Sequence, residues 1–137
     1  MAIIGIRRLT WAVENVADCA RFFSDFGLSL IEEQEDAALF EAADGSENLI
    51  LKKGHARLPS NTVQTATGVF ECVWAVDTQR AMDKLLSGLA PDHELVTDED
   101  GVVHFTTPFG QAIALQVWQP RPVFGAPSPF NTVGRIG

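Results

Sequence analysis

An α+β domain made of two tandem βαβββ modules is what this sequence predicts, and three observations carry the expectation. Apolar spacing switches from period two to period 3.6 and back, and does so twice in the same order. The tetrapeptide Trp11-Ala12-Val13-Glu14 returns as Trp74-Ala75-Val76-Asp77, 63 residues on. At that same offset Cys19, Phe22, Phe23 and Phe26 meet Met82, Leu85, Leu86 and Leu89. A set of matches in phase marks an internal repeat.

In module one (1–53), residues 3–13 alternate as a strand, with Leu9, Trp11 and Val13 on one face. Glu14-Asn15 ends it and offers an N-cap. Val16, Cys19, Phe22, Phe23 and Phe26 then follow helical spacing, so all five are expected on the core face of an amphipathic helix stopped by Gly27. Strands are expected at 28–35, 37–42 and 48–53, the last after the Asp44-Gly45 turn. Residues 54–68 lack periodicity and read as a loop. In module two (69–118) a strand at 69–76 precedes a helix at 78–89, capped by Thr78 and closing near Gly88. Strands at 93–97, 102–107 and 111–118 complete the repeat, divided by Asp100-Gly101 and Pro108-Phe109-Gly110.

The chain has 137 residues, 46% hydrophobic and 20% charged, which suits one globular domain of 1–118 followed by an arm. A formal charge of −8 and the lack of a basic stripe argue against nucleic acid as partner. The acidic surface is compatible with a cationic ligand. No apolar run nears the ~20 residues of a membrane span, and no signal peptide opens the chain. Cys19 and Cys72, each within an apolar run, read as reduced thiols, and the cytoplasm is the expected compartment. The sequence has no phosphate-binding glycine loop, nucleophile elbow, zinc-spaced cysteine pair or HExxH motif.

Each first strand ends in Val followed by an acidic residue before its helix, and Pro108-Phe109-Gly110 precedes the final strand. With residues 9–16, 22–28, 73–77 and 105–115, these features resemble the vicinal-oxygen-chelate superfamily, which holds glyoxalase I, bleomycin-resistance proteins and extradiol dioxygenases. The resemblance covers 3–118 and implies the glyoxalase/bleomycin resistance/dioxygenase fold. In metal-dependent members the first and fourth strands of each module present the ligands. The matching positions here are Arg8, Glu71, Ile50 (with a one-residue slip open) and Ala114. One carboxylate among these does not make a divalent-metal site, so no cofactor is expected, with Fe(II) only if this matching is wrong.

Strand alternation places Arg8, Thr10, Asn48, Ile50, Lys52, Glu71, Val73, Ala112, Ala114 and Gln116 on the cleft side. Of these, Arg8, Thr10, Asn48, Lys52, Glu71 and Gln116 are the candidate ligand-binding residues. Arg8 and Glu71 are expected to pair across the cleft, with Arg8 alternatively free to capture a substrate carboxylate or phenolate. His104 is the candidate general acid/base. Residues 119–137 hold Pro120, Pro122, Pro127 and Pro129 and read as an extended arm or linker. The arm resembles the segment that leads from the metal-free N-terminal domain of an extradiol dioxygenase into its catalytic domain, and alternatively it wraps a partner in a homodimer. Three functions follow: a dioxygenase-like accessory module, a stand-alone bleomycin-resistance-like binder of an aromatic, cationic or carboxylate-bearing small molecule, and a metal-independent lyase or isomerase using His104, Arg8 or Glu71.

Overall fold

The computed structural model describes residues 2–58 and 68–123. In chain order the elements are β1 (Ile3–Val13), α1 (Val16–Phe26), β2 (Ser29–Glu33), β3 (Ala37–Glu41) and β4 (Glu47–Lys52), then β5 (Gly68–Val76), α2 (Gln79–Leu89), β6 (Val96–Thr97), β7 (Val103–Thr106) and β8 (Ala112–Val117). This is βαβββ twice. All eight strands join one mixed sheet in the order β2-β3-β4-β1-β5-β8-β7-β6. Inside each module the first and last strands run parallel, β1 beside β4 and β5 beside β8. The modules meet where β1 and β5 pair antiparallel.

That seam has a pseudo-twofold axis. Leu9 pairs with Cys72, its own equivalent in the repeat, so Arg8 falls opposite Val73 and Thr10 opposite Glu71. The register shifts between Ile6 and Arg8 and again between Thr10 and Trp11. Such irregularities re-aim neighbouring side chains.

Both helices lie on one face of the sheet. Beneath α1, Val16 and Ala20 pack with Val13, Ala38, Phe40 and Ile50, and Cys19, Phe23 and Trp11 close around them. Beneath α2, Met82 packs with Val76, Val103 and Leu115. The Asn15 side chain accepts from the Asp18 backbone N–H, and the Thr78 hydroxyl from that of Ala81. Gly27 ends α1 at φ 113°, with its own N–H on the Ser24 carbonyl and that of Leu28 on the Phe23 carbonyl. A side chain there would be strained.

Three expectations change. Phe22 and Phe26 are not core residues: they are 60% and 70% exposed and stack on each other outside the helix. The buried stripe runs Val16–Cys19/Ala20–Phe23, and a straight helix carries positions 22 and 26 round to its flank. Helix α2 ends at Leu89 as expected, but Gly88 lies within it rather than capping it: the C-cap is Ala90, whose N–H bonds to the Leu86 carbonyl. The strand expected at 93–97 is only β6, because the Asp92 and His93 N–H groups both turn back to the Leu89 carbonyl. Residues 59–67 of the expected loop, and 124–137 of the arm with Pro127 and Pro129, lie outside the described residues. No helix among the described residues is long and apolar enough to cross a membrane.

Candidate functional site

The face of the sheet turned away from the helices bounds a cavity of about 880 Å³. Both modules build it. Its apolar floor comes from Leu49 and Leu51 of β4, Leu58 after it, Phe70 and Val73 of β5, and Val102. Across its centre Thr10 of β1 faces Glu71 of β5. Thr10 is only 6% exposed, and its hydroxyl has no hydrogen-bond partner among the described residues.

Arg8 does not pair with Glu71. The twofold about Leu9 and Cys72 sets the two residues on a diagonal, and each finds a nearer partner. Glu47 stands beside Arg8 in the parallel β1–β4 register, and Arg8 Nε donates to Glu47 Oε1 at 2.8 Å. Glu47 Oε2 also lies 3.5 Å from Nη2 of Arg7. Arg7 in turn donates from Nε to Gln116 Oε1 (3.2 Å) and from Nη1 to the Gly45 carbonyl (2.9 Å), with its guanidinium 4.7 Å over the Trp118 ring. Burial lowers the Arg7 pKa while Glu47 opposes that shift. One carboxylate therefore serves two guanidinium groups.

Glu71 is held instead by His104. The ring Nδ1 lies 2.8 Å from Glu71 Oε2, and Nε2 lies 2.8 Å from Asp98 Oδ2. Both nitrogens facing carboxylates makes imidazolium the matching form. The hydrogen bond to Glu71 raises the His104 pKa most, and the bond to Asp98 and both negative charges add to it against the opposing effect of burial, bringing it to about 9. For Asp98, burial works upward but is outweighed by hydrogen bonds from His104 and from the Val102 and Asp100 N–H groups, so its pKa is lowered. Asp98 thus ties the turn after β6 to the wall of the cavity.

Of the sequence candidates, Arg8, Thr10, Glu71, Gln116 and His104 line the cavity. Asn48 and Lys52 do not. The β1–β4 register puts Leu49 beside Thr10 and Leu51 beside Ala12, so the even-numbered positions of β4 face the helix. There Asn48 accepts from the Trp11 indole N–H at 2.9 Å and Ile50 is fully buried. Leu49, one residue from Ile50, faces the cavity, and its place beside Thr10 matches that of Ala114 beside Val73 in the second module. Arg7, Arg57 and Asp98 were missed. Alternation put Arg7 on the helix side, and only the β1 irregularity turns it inward. Asp98 falls between the strand expected at 93–97 and the Asp100-Gly101 turn, where nothing in the sequence marked it.

The metal sites of this fold do not suit these residues. Arg8, Leu49 and Ala114 offer no ligand, and Glu71 is already bonded to an internal cation. Glu71, His104 and Asp98 stand in a row with the ring between the carboxylates rather than converging on a point. Among the described residues no group of three or more His, Cys, Asp or Glu side chains is arranged to hold a metal ion. Cys19 and Cys72 are free, and burial first of all raises both thiol pKa values.

No protein-family model matches the chain, and no curated protein matches it. Solved structures do. The 2,3-dioxygenase LapB from Pseudomonas sp. KL28 superposes with a TM-score of 0.69 at 18% identity, over 96% of this chain and 46% of that one. A Mn(II)-bound glyoxalase from Novosphingobium aromaticivorans gives 0.66 at 14%, over 93% and 44%. An extradiol ring-cleaving dioxygenase from B. fuscum gives 0.67 at 15%, over 85% and 33%. The chain therefore has the vicinal-oxygen-chelate fold, and it spans a third to just under half the length of these structures.

Proposed function

We propose that this chain, with its vicinal-oxygen-chelate fold, is a small-molecule-binding module that uses the cavity between its two modules and holds no metal at the ligand positions of the fold. The observation that carries this is Thr10, a residue only 6% exposed, whose hydroxyl makes no hydrogen bond to the described residues and which lines a cavity with an apolar floor. Opening onto the cavity, that hydroxyl is available to a ligand or ordered water, and such a hydrogen bond contributes about 0.5–1.5 kcal/mol. Gln116 adds an amide whose Nε2 donors are not engaged by Arg7, which donates only to its Oε1. Pockets with a few convergent polar groups over apolar walls are the usual form of small-molecule sites.

His104 acts here as a fixed positive charge rather than as a base. With a pKa of about 9 it keeps its proton at neutral pH, so in the lyase or isomerase reading it serves as an acid and not as the base. The accessory reading gains from length: the chain spans a third to just under half of the dioxygenase structures it superposes on. In that reading a catalytic domain of another segment or chain completes the enzyme. In the stand-alone reading a homodimer is the expected assembly.

The test is a fragment screen on the full chain by ligand-observed NMR, repeated with Thr10→Val. Fragments that bind the native chain should lose about fivefold in affinity when that hydroxyl is removed. Metal content after anaerobic loading with Fe(II), Mn(II) or Zn(II), with catechol cleavage on the same samples, is the complementary measurement. One tight equivalent of iron with ring cleavage would overturn the metal-free part of the proposal.

A further inference from the structure

Charge in the cavity is sorted by module. Every arginine on its wall precedes module two: Arg7 and Arg8 on β1 of module one, and Arg57 in the connecting segment after β4. Every carboxylate comes from module two: Glu71, Glu94, Asp98 and Asp100. Internal pairing does not erase the asymmetry. Arg7 and Arg8 share the single carboxylate of Glu47, leaving one positive charge over, and Arg57 makes no ion pair among the described residues. On the other side Glu71 and Asp98 share the single cation His104, leaving one negative charge over, and Glu94 and Asp100 stand exposed beside them. Between the two walls lies the apolar floor of Leu49, Leu51, Phe70 and Val73.

We infer that the ligand is bipolar: a small, apolar-bodied zwitterion whose anionic group lies toward Arg8 and Arg57 and whose ammonium or similar cationic group lies toward Glu71 and Asp98. The inference rests on the binding reading above and adds the ligand class. A singly charged molecule would satisfy one wall and face like or unmatched charge at the other, and specificity of this kind comes from such mismatch as much as from attraction. The unpartnered Thr10 hydroxyl, opposite Glu71 at the midpoint, marks the place where the body of the ligand carries a hydrogen-bonding atom. The acidic net charge of the whole chain does not predict this, since by itself it favours simple cations.

Three probes of one shape test the idea: 4-(aminomethyl)benzoate, 4-methylbenzoate and 4-methylbenzylamine, titrated into the full chain at low salt and followed by protein-observed NMR. The zwitterion should bind at least about tenfold more tightly than either singly charged probe. Two exposed substitutions that leave the buried network intact separate the ends. Arg57→Gln should weaken the zwitterion and the benzoate but not the amine, and Glu94→Gln the zwitterion and the amine but not the benzoate. If a singly charged probe matches the zwitterion in the cavity, the bipolar inference falls while the binding reading stands. If none of the three shifts cavity resonances but unrelated fragments do, the ligand class is again wrong. If no fragment of any kind binds there, both readings fall together.

Discussion

At the scale of single residues, the Glu71–His104–Asp98 row sets the electrostatics of the cavity and makes a pH prediction. The folded His104 pKa of about 9 lies above its ordinary 6.5, so the protonated ring stabilises the fold. That contribution is complete below pH 6.5 and is lost as pH rises through about 9. Thermal denaturation of the native chain should therefore show a falling Tm across this window, and His104→Gln should flatten the fall. An NMR titration of the ring reads the pKa directly, and a midpoint near 6.5 would remove the imidazolium from the account. None of this row was legible as a unit in the sequence. Glu71 and His104 were each singled out, but 33 residues separate them, and only the register of β5, β8 and β7 brings them together.

At the scale of elements, the two helices test where the core lies. Met82 is 2% exposed beneath α2, so Met82→Ala should cost about 2–5 kcal/mol. Phe22, on the flank of α1, should cost less than about 1 kcal/mol when changed to Ala, despite its size. Urea denaturation of the two variants gives the comparison, and a larger loss for Phe22 would mean that the exposed face is covered in solution. The same scale explains which strand faces were readable. In β8 the small or polar Ala112, Ala114 and Gln116 alternate with Ile113, Leu115 and Val117, so the cavity side shows in the letters. In β4 the run Leu49-Ile50-Leu51 is buried on both faces. A strand covered on both sides has no period-two signal, and its parity is then fixed only by pairing with its neighbour.

At the scale of the whole molecule, the repeat made the fold legible while leaving the joint between modules open. Equivalent helices and strands could be matched by offset, but the antiparallel β1–β5 pairing, centred on Leu9 and Cys72, is a long-range fact that no local pattern carries. The single eight-stranded sheet predicts one cooperative unfolding transition. Tryptophan emission, which samples module one through Trp11 and module two through Trp74, should change together with far-UV circular dichroism in urea. Separate midpoints would show that the modules melt independently. The chain is further strapped across this joint near its described end, where the Arg121 N–H reaches the Asp44 carbonyl of module one at 2.7 Å.

The twofold at that seam also bears on the polarity of the cavity. Because β1 meets the strand that is its own repeat, the edge that joins the halves is self-complementary. Two identical halves mated along such an edge form a symmetric pair. Such a pair carries identical walls on both sides of its cleft. In this chain the halves differ: position 8 is arginine while its counterpart, position 71, is glutamate. Polarity in the cavity is something a pair of identical halves cannot possess and a chain with unlike halves can.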